Sequence, residues 1–198
     1  MTAAIETLAE HACFGGVQGF YRHASTACAG PMRFGVFVPD AARSRRLPTL
    51  FWLAGLTCTE ETFAIKAGAQ RIAAELGLVL VTPDTSPREP ELPGDRESWD
   101  FGQGAGFYVD ATQAPWRAHY RMSSWITEEL PALVDSRFPT DPARRGVFGH
   151  SMGGHGALVS ALRRPDVFRS CSAFAPIRSE EHTSELQSRQ YLVCRLLL

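Results

Sequence analysis

Phe148 to Leu158 reads F-G-H-S-M-G-G-H-G-A-L, and within it Gly149-His150-Ser151-Met152-Gly153 sets a serine between two glycines. That spacing matches the G-x-S-x-G pattern of a nucleophile carried on a sharp turn from a strand into a helix. The chemistry it permits is acyl transfer. Ser151 Oγ would stand above the end of a sheet, with glycines on either side so that neighbouring backbone can approach where a Cβ would clash. The next amide, on Met152, falls at the start of the helix, where its N–H and the helix dipole stabilise the oxyanion of a tetrahedral intermediate. The five residues alone are also compatible with a glycine-rich turn capped by a serine. The flanking elements decide between the two.

A second oxyanion donor is expected from the loop after an earlier strand. Here L-F-W-L runs into Ala54-Gly55-Leu56-Thr57-Cys58-Thr59-Glu60, and Leu56 N–H is the candidate. A plain glycine turn explains Gly55 but not the Thr57 to Glu60 run. His150 and His155 flank the serine, yet positions one and four away on a strand–turn–helix unit are expected to point away from Oγ or into packing, as structural residues. In this arrangement the triad runs Ser, then Asp or Glu, then His, with the last two on loops after further strands.

The elements that must hold these residues alternate along the chain. Met32 to Pro39 alternates like a half-exposed strand, whereas Leu47 to Ala54 and Leu78 to Pro83 are nearly continuous apolar runs and are expected at the centre of a sheet. Thr59 to Leu76 carries helical spacing, started by Thr59 with Thr62 and closed by Gly77. Thr85 to Arg117 dissolves into Pro, Gly, Asp and aromatic residues, a length of irregular chain that usually has a function. Ser123 to Phe138 is again helical, with a kink expected at Pro131. A strand at Arg145 to Gly149, a helix from Gly153 to about Arg163 and a last strand at Phe168 to Ala175 follow. This pattern predicts an α/β fold, a sheet that becomes parallel and is covered by helices on both faces.

With 198 residues, 44% of them hydrophobic, the chain suits one globular domain. Its 20 Lys plus Arg against 21 Asp plus Glu leave no footprint for nucleic acid or an anionic membrane. The apolar runs are shorter than a bilayer span and Met1 to Glu10 lacks a basic leader, so a cytoplasmic protein is expected. Cys13, Cys28, Cys58, Cys171 and Cys194 are odd in number and unclustered, which reads as reduced thiols without a metal site.

Longer strings are more specific than the serine pattern. W-L-A-G-L-T-C-T-E at Trp52 to Glu60, P-D-T-S-P-R at Pro83 to Arg88, and E-S-W-D-F-G-Q-G-A-G-F-Y-V-D-A-T at Glu97 to Thr112 stand with P-W-R-A-H-Y-R-M at Pro115 to Met122 and S-A-F-A-P-I at Ser172 to Ile177. Together with the serine segment they resemble the S-formylglutathione hydrolase (esterase D) family of α/β-hydrolases, over roughly Cys13 to Ile177. The resemblance implies the α/β-hydrolase fold and hydrolysis of a glutathione thioester to formate and glutathione, with no cofactor and a homodimer in the full-length family. It puts the nucleophile on Ser151 and the oxyanion amides on Leu56 and Met152. A formyl group needs only a slot, with binding energy drawn from the remote glutathione half. Trp99, Phe101, Phe107 and Tyr108 are candidates to wall that slot, or equally to pin their loop to the core. Cys58 is expected beside the site, where it would confer sensitivity to thiol reagents.

The resemblance stops near Ile177, so residues 1–177 are expected to form the hydrolase domain, without its C-terminal strands, and residues 178–198 an unrelated tail. Asp166 and His182 keep the order Ser, Asp, His, but Asp166 follows the nucleophile helix at the far end of the sheet and His182 lies in the tail. The triad Asp and His are therefore expected to be absent from this chain. The strand at Phe168 to Ala175 is expected to present an unpaired, aggregation-prone edge. The alternatives are a carboxylesterase for small acyl esters or acetylated sugars, and a chain that is catalytically silent as written.

Overall fold

A computed structural model describes residues 4–177 and 193–197. Its sheet has the order β1-β2-β3-β5-β4-β6-β7-β8, built from β1 (Ile5–Cys13), β2 (Gly16–Ser25), β3 (Gly30–Pro39), β4 (Leu47–Leu53), β5 (Val79–Pro83), β6 (Thr140–His150), β7 (Ser170–Phe174) and β8 (Val193–Leu197). The pairs β1–β2, β2–β3 and β3–β5 are antiparallel, and β5, β4, β6 and β7 run parallel. The α/β expectation holds, extended by an N-terminal meander. Phe14 (φ 48) and Gly15 (φ 70) turn β1 into β2 with two consecutive left-handed residues, the geometry of a tight hairpin.

Two layers of side chains account for the covered sheet. Phe34, Phe51, Leu53 and Val81 pack on one face with Trp125, Ile126, Met152 and Ala157, and Phe37 and Leu80 pack on the other with Ala73. All five residues of β5 are buried, as its unbroken apolar run requires of a central strand. β4 is central too, but its Trp52 leans outward to stack on Phe63 with ring centroids 4.3 Å apart.

Four boundaries differ from the sequence reading. The expected single helix over 59–76 is two, α1 (Glu60–Lys66) and α2 (Ala69–Leu76), because Gly68 takes φ 60 and breaks the hydrogen-bond ladder. The Thr59–Thr62 capping box and the left-handed Gly77 cap do mark its ends. Around Pro131 the chain forms α3 (Met122–Ser124), a π-helical segment (Trp125–Glu129) and α4 (Leu130–Arg137), so the missing proline N–H is accommodated by widening the preceding turns rather than by a simple kink. β6 begins at Thr140 rather than Arg145, and Pro142 sits where the register skips from Leu47↔Thr140 to Thr49↔Arg145. Finally, β7 is not an open edge. β8 pairs with it antiparallel from Ser170↔Leu197 to Phe174↔Val193, its backbone taking up the N–H and C=O groups that the sequence pattern leaves unpaired.

The crossovers from β4 diverge: β5 lies on one side of it and β6 on the other. Ligands of open α/β sheets bind outside the carboxyl ends of strands at such a switch point. β4 ends at Leu53, in register with Gly149 of β6, so the segments starting at Ala54 and at Ser151 leave the sheet side by side.

Candidate active site

Ser151 stands between β6 and α5 (Met152–Arg163) with φ 58 and ψ −120, a conformation that residues bearing a Cβ rarely adopt. The surroundings hold it there. Its N–H donates to Phe174 O of β7 at 3.0 Å, and its carbonyl accepts from His155 N–H at 3.1 Å and Ile177 N–H at 3.2 Å. A Cβ on Gly149 would collide with the backbone of Gly153, and one on Gly153 with the backbone of Leu53 and Ala54. Both glycines of the pattern are thus required by close backbone approach around the turn.

Ser151 opens onto a cleft of about 830 Å³ whose wall includes Gly55, Leu56, Cys58, Trp99, His150 and Phe174. Gly55 borders the serine directly, since a Cβ there would lie 3.5 Å from Ser151 Cβ. Leu56 N–H hydrogen-bonds to no acceptor among the described residues, and Met152 opens α5, where no intrahelical acceptor exists for its N–H. Two donors are therefore free, one on the loop after β4 and one at the start of α5, as an oxyanion site needs.

The aromatic residues separate. Trp99 lies along the cleft and is exposed. Phe101 and Phe107 instead line a second cavity of about 290 Å³ with Trp116 and Tyr120. Tyr108 is buried, donating its hydroxyl to Ala54 O at 2.9 Å, and burial holds that hydroxyl well above its ordinary pKa. Its ring occupies the space that a side chain on Gly156 would fill. His150, the last residue of β6, is exposed and borders the cleft. Among the described residues no imidazole hydrogen-bonds Ser151 Oγ. Asp166 is exposed and paired with Arg164, beyond the C-terminus of the 12-residue helix that starts at the serine. Twelve residues of α-helix span about 18 Å. His182 lies outside the described residues.

Several groups beneath the site were not apparent in the sequence. Asp84, two per cent exposed at the end of β5, accepts from Arg88 Nε at 3.0 Å and Nη2 at 2.6 Å. Burial opposes the Arg88 charge, but this carboxylate outweighs it and keeps the guanidinium pKa raised. Glu60, three per cent exposed at the start of α1, has its carboxyl pushed up to about 7, first by burial and then by Asp84. The one available signal was an acidic residue placed directly after a nearly apolar, fully buried strand, where it is expected to be buried and paired.

A model of the family described as putative esterase matches residues 25–186. The chain is 54% identical to mouse (Mus musculus) S-formylglutathione hydrolase over 174 residues, which cover 88% of this chain and 62% of that protein. It is 52% identical to the S-formylglutathione hydrolase of Paracoccus denitrificans over 194 residues, 97% of this chain and 69% of the relative. A solved S-formylglutathione hydrolase from Agrobacterium tumefaciens superposes with a TM-score of 0.84 at 49% identity, covering 86% of this chain and 62% of its own. The chain thus spans about 62% of the length of the mouse protein. With its strained serine turn at the sheet's switch point and half its aligned residues shared with these proteins, the chain belongs to the esterase family, on the α/β-hydrolase fold, that includes the S-formylglutathione hydrolases.

Proposed function

We propose that the full-length protein hydrolyses the thioester S-formylglutathione to formate and glutathione, with Ser151 as nucleophile and the Leu56 and Met152 amides as the oxyanion hole. The observation that carries this reading is the strained backbone of Ser151, which opens onto the same cleft as Leu56. Attack by Oγ on the thioester carbonyl, its proton passing to the triad His of the full-length protein, gives a tetrahedral intermediate. Collapse breaks the C–S bond, the departing glutathione sulfur takes up that proton, and the formyl-serine left behind is cleaved by water. The names of relatives about half identical to this chain support the substrate. The reading further places the enzyme in the cytoplasm, without cofactor or metal, and as a homodimer at full length. No helix among the described residues is long and apolar enough to cross a membrane.

It also assigns residues 1–177 to the hydrolase domain and 178–198 to an unrelated tail, whose Val193–Leu197 stretch pairs with β7, and it has the 198-residue chain supply neither the triad Asp nor the triad His. Comparing turnover of S-formylglutathione and of a simple acetyl ester by the full-length protein tests the reading. A strong preference for the thioester is expected, and equal or better turnover of the acetyl ester would replace it with a small-acyl carboxylesterase. The 198-residue chain is expected to give at most the roughly 10³ to 10⁴ acceleration that binding and an oxyanion hole provide without a base.

A further inference from the structure

The loop from Ala54 to Cys58 carries the Leu56 amide yet does little to hold its own shape. Its internal backbone hydrogen bond, Cys58 N–H to Gly55 O, is 3.4 Å long, and Thr57 sits at φ 65, a left-handed conformation unfavourable for a β-branched residue. Strained backbone of this kind persists only where the surroundings over-determine it. Here they come from the irregular segment that follows β5. Thr85 Oγ1 donates to Cys58 O at 2.6 Å, and Arg88 Nη2 donates to the same carbonyl at 2.9 Å. Thr57 N–H is taken by Gly104 O at 2.9 Å, and Gly104 in turn donates its own N–H to Ser86 Oγ at 2.8 Å.

The donors on Cys58 O are themselves fixed to the sheet. Asp84 holds Arg88 through both Nε and Nη2 and also accepts from Thr85 N–H at 2.6 Å, so one buried carboxylate orients both groups. It follows Pro83, the last residue of β5, which is hydrogen-bonded beside β4. The loop after β4 is thus referenced to the end of the neighbouring strand.

We infer that Thr85 and Arg88 are positioning residues for the proposed acyl transfer, their hydrogen bonds to the Cys58 carbonyl keeping the 54–58 loop in the conformation that leaves Leu56 N–H free beside Ser151. This rests on the serine-hydrolase reading above. Neither residue touches the reacting atoms. They act through the placement of an oxyanion donor, and a displacement of about 1 Å in such a group costs on the order of 10²-fold in rate.

The test uses full-length protein with Thr85→Val, which removes the hydroxyl donor and leaves the Arg88–Asp84 pair, and with Arg88→Lys, which keeps a charge opposite Asp84 but not the fork. Hydrogen exchange of peptides covering residues 54–58 is read by mass spectrometry, alongside the rate of Ser151 labelling by a fluorophosphonate. Exchange over 54–58 is expected to rise at least about tenfold while β4 stays protected, with the labelling rate at saturating probe down roughly 10- to 100-fold and half-saturation shifted less than about threefold. Thr85→Ser, which keeps the hydroxyl, should restore both. Unchanged exchange in both variants would overturn the inference, as would faster exchange with an undiminished labelling rate. A wild-type protein that takes no label would instead overturn the hydrolase reading, and the exchange measurement would then decide the clamp alone.

Discussion

The Tyr108 hydroxyl donates to the carbonyl of Ala54 at 2.9 Å, joining two residues 54 positions apart and tying the glycine- and aromatic-rich segment to the first residue after β4. Both partners are buried, so neither finds water if the bond is removed. Tyr108→Phe keeps the ring in its place against Gly156 but strands the Ala54 carbonyl. A loss of about 1–2 kcal/mol in folding free energy is expected from urea unfolding. An unchanged midpoint would show that this bond does not hold the loop.

Ser151 combines a proposed chemical role with unfavourable backbone geometry. In the full-length protein, Ser151→Ala should abolish fluorophosphonate labelling and lower thioester turnover by about 10⁴ to 10⁶. Ser151→Gly should be equally inactive yet more stable than Ser151→Ala, by roughly 1 kcal/mol, because glycine tolerates φ 58 and ψ −120 where a Cβ does not. Thermal unfolding of the two variants side by side checks the second expectation. Labelling retained by Ser151→Ala would remove the serine from the mechanism.

Cys58 lines the cleft that Ser151 faces, while its carbonyl is held by Thr85 and Arg88. A bulky thiol adduct there would obstruct the cleft. Cys58→Ser is therefore expected to keep most thioester turnover and to lose sensitivity to N-ethylmaleimide. A loss of activity equal to that of Ser151→Ala would mean that the thiol itself takes part in the chemistry.

Two buried titratable groups act on stability with opposite sign. The Glu60 carboxyl, raised from 4.5 to about 7 by burial and by Asp84, keeps its proton in the folded state after the unfolded chain has lost it. Its contribution is complete below pH 4.5 and is lost as pH rises through 7. His23 is packed on Trp125, accepting the indole N–H at Nε2 at 3.0 Å, and burial lowers its pKa below 6.5 despite the nearby Glu129. Its contribution is present above pH 6.5 and is lost as pH falls from there. Glu60→Gln should therefore gain stability over wild type between about pH 5 and pH 8, with a slope on the order of 1.4 kcal/mol per pH where the folded and unfolded chains differ by one proton. Urea midpoints at the two pH values measure it. A constant difference between variant and wild type would contradict the assignment.

The parts legible in the sequence are those decided by near neighbours along the chain. G-H-S-M-G fixes a tight turn because Gly149 and Gly153 are needed where backbones nearly touch, and the apolar run of β5 can only be a strand buried on both faces. The Thr59–Thr62 cap and Gly77 mark helix ends through bonds that span a few residues. Gly68 was not legible as a break, since a glycine inside a helical pattern is commonly tolerated and only its left-handed φ distinguishes it. Nor could composition show that the four aromatics of residues 99–108 part company: Trp99 on the cleft, Phe101 and Phe107 on a second cavity, Tyr108 under Ala54. That division depends on contacts between β4, β5 and the 85–108 segment, made by chain folding over distances that no local spacing records. Residue order along the chain is thus enough for the strained serine turn, the α/β class and the family. Which carbonyl Arg88 grips, where His150 faces and what covers the edge of β7 are settled only on folding, because each depends on a partner far away in the chain.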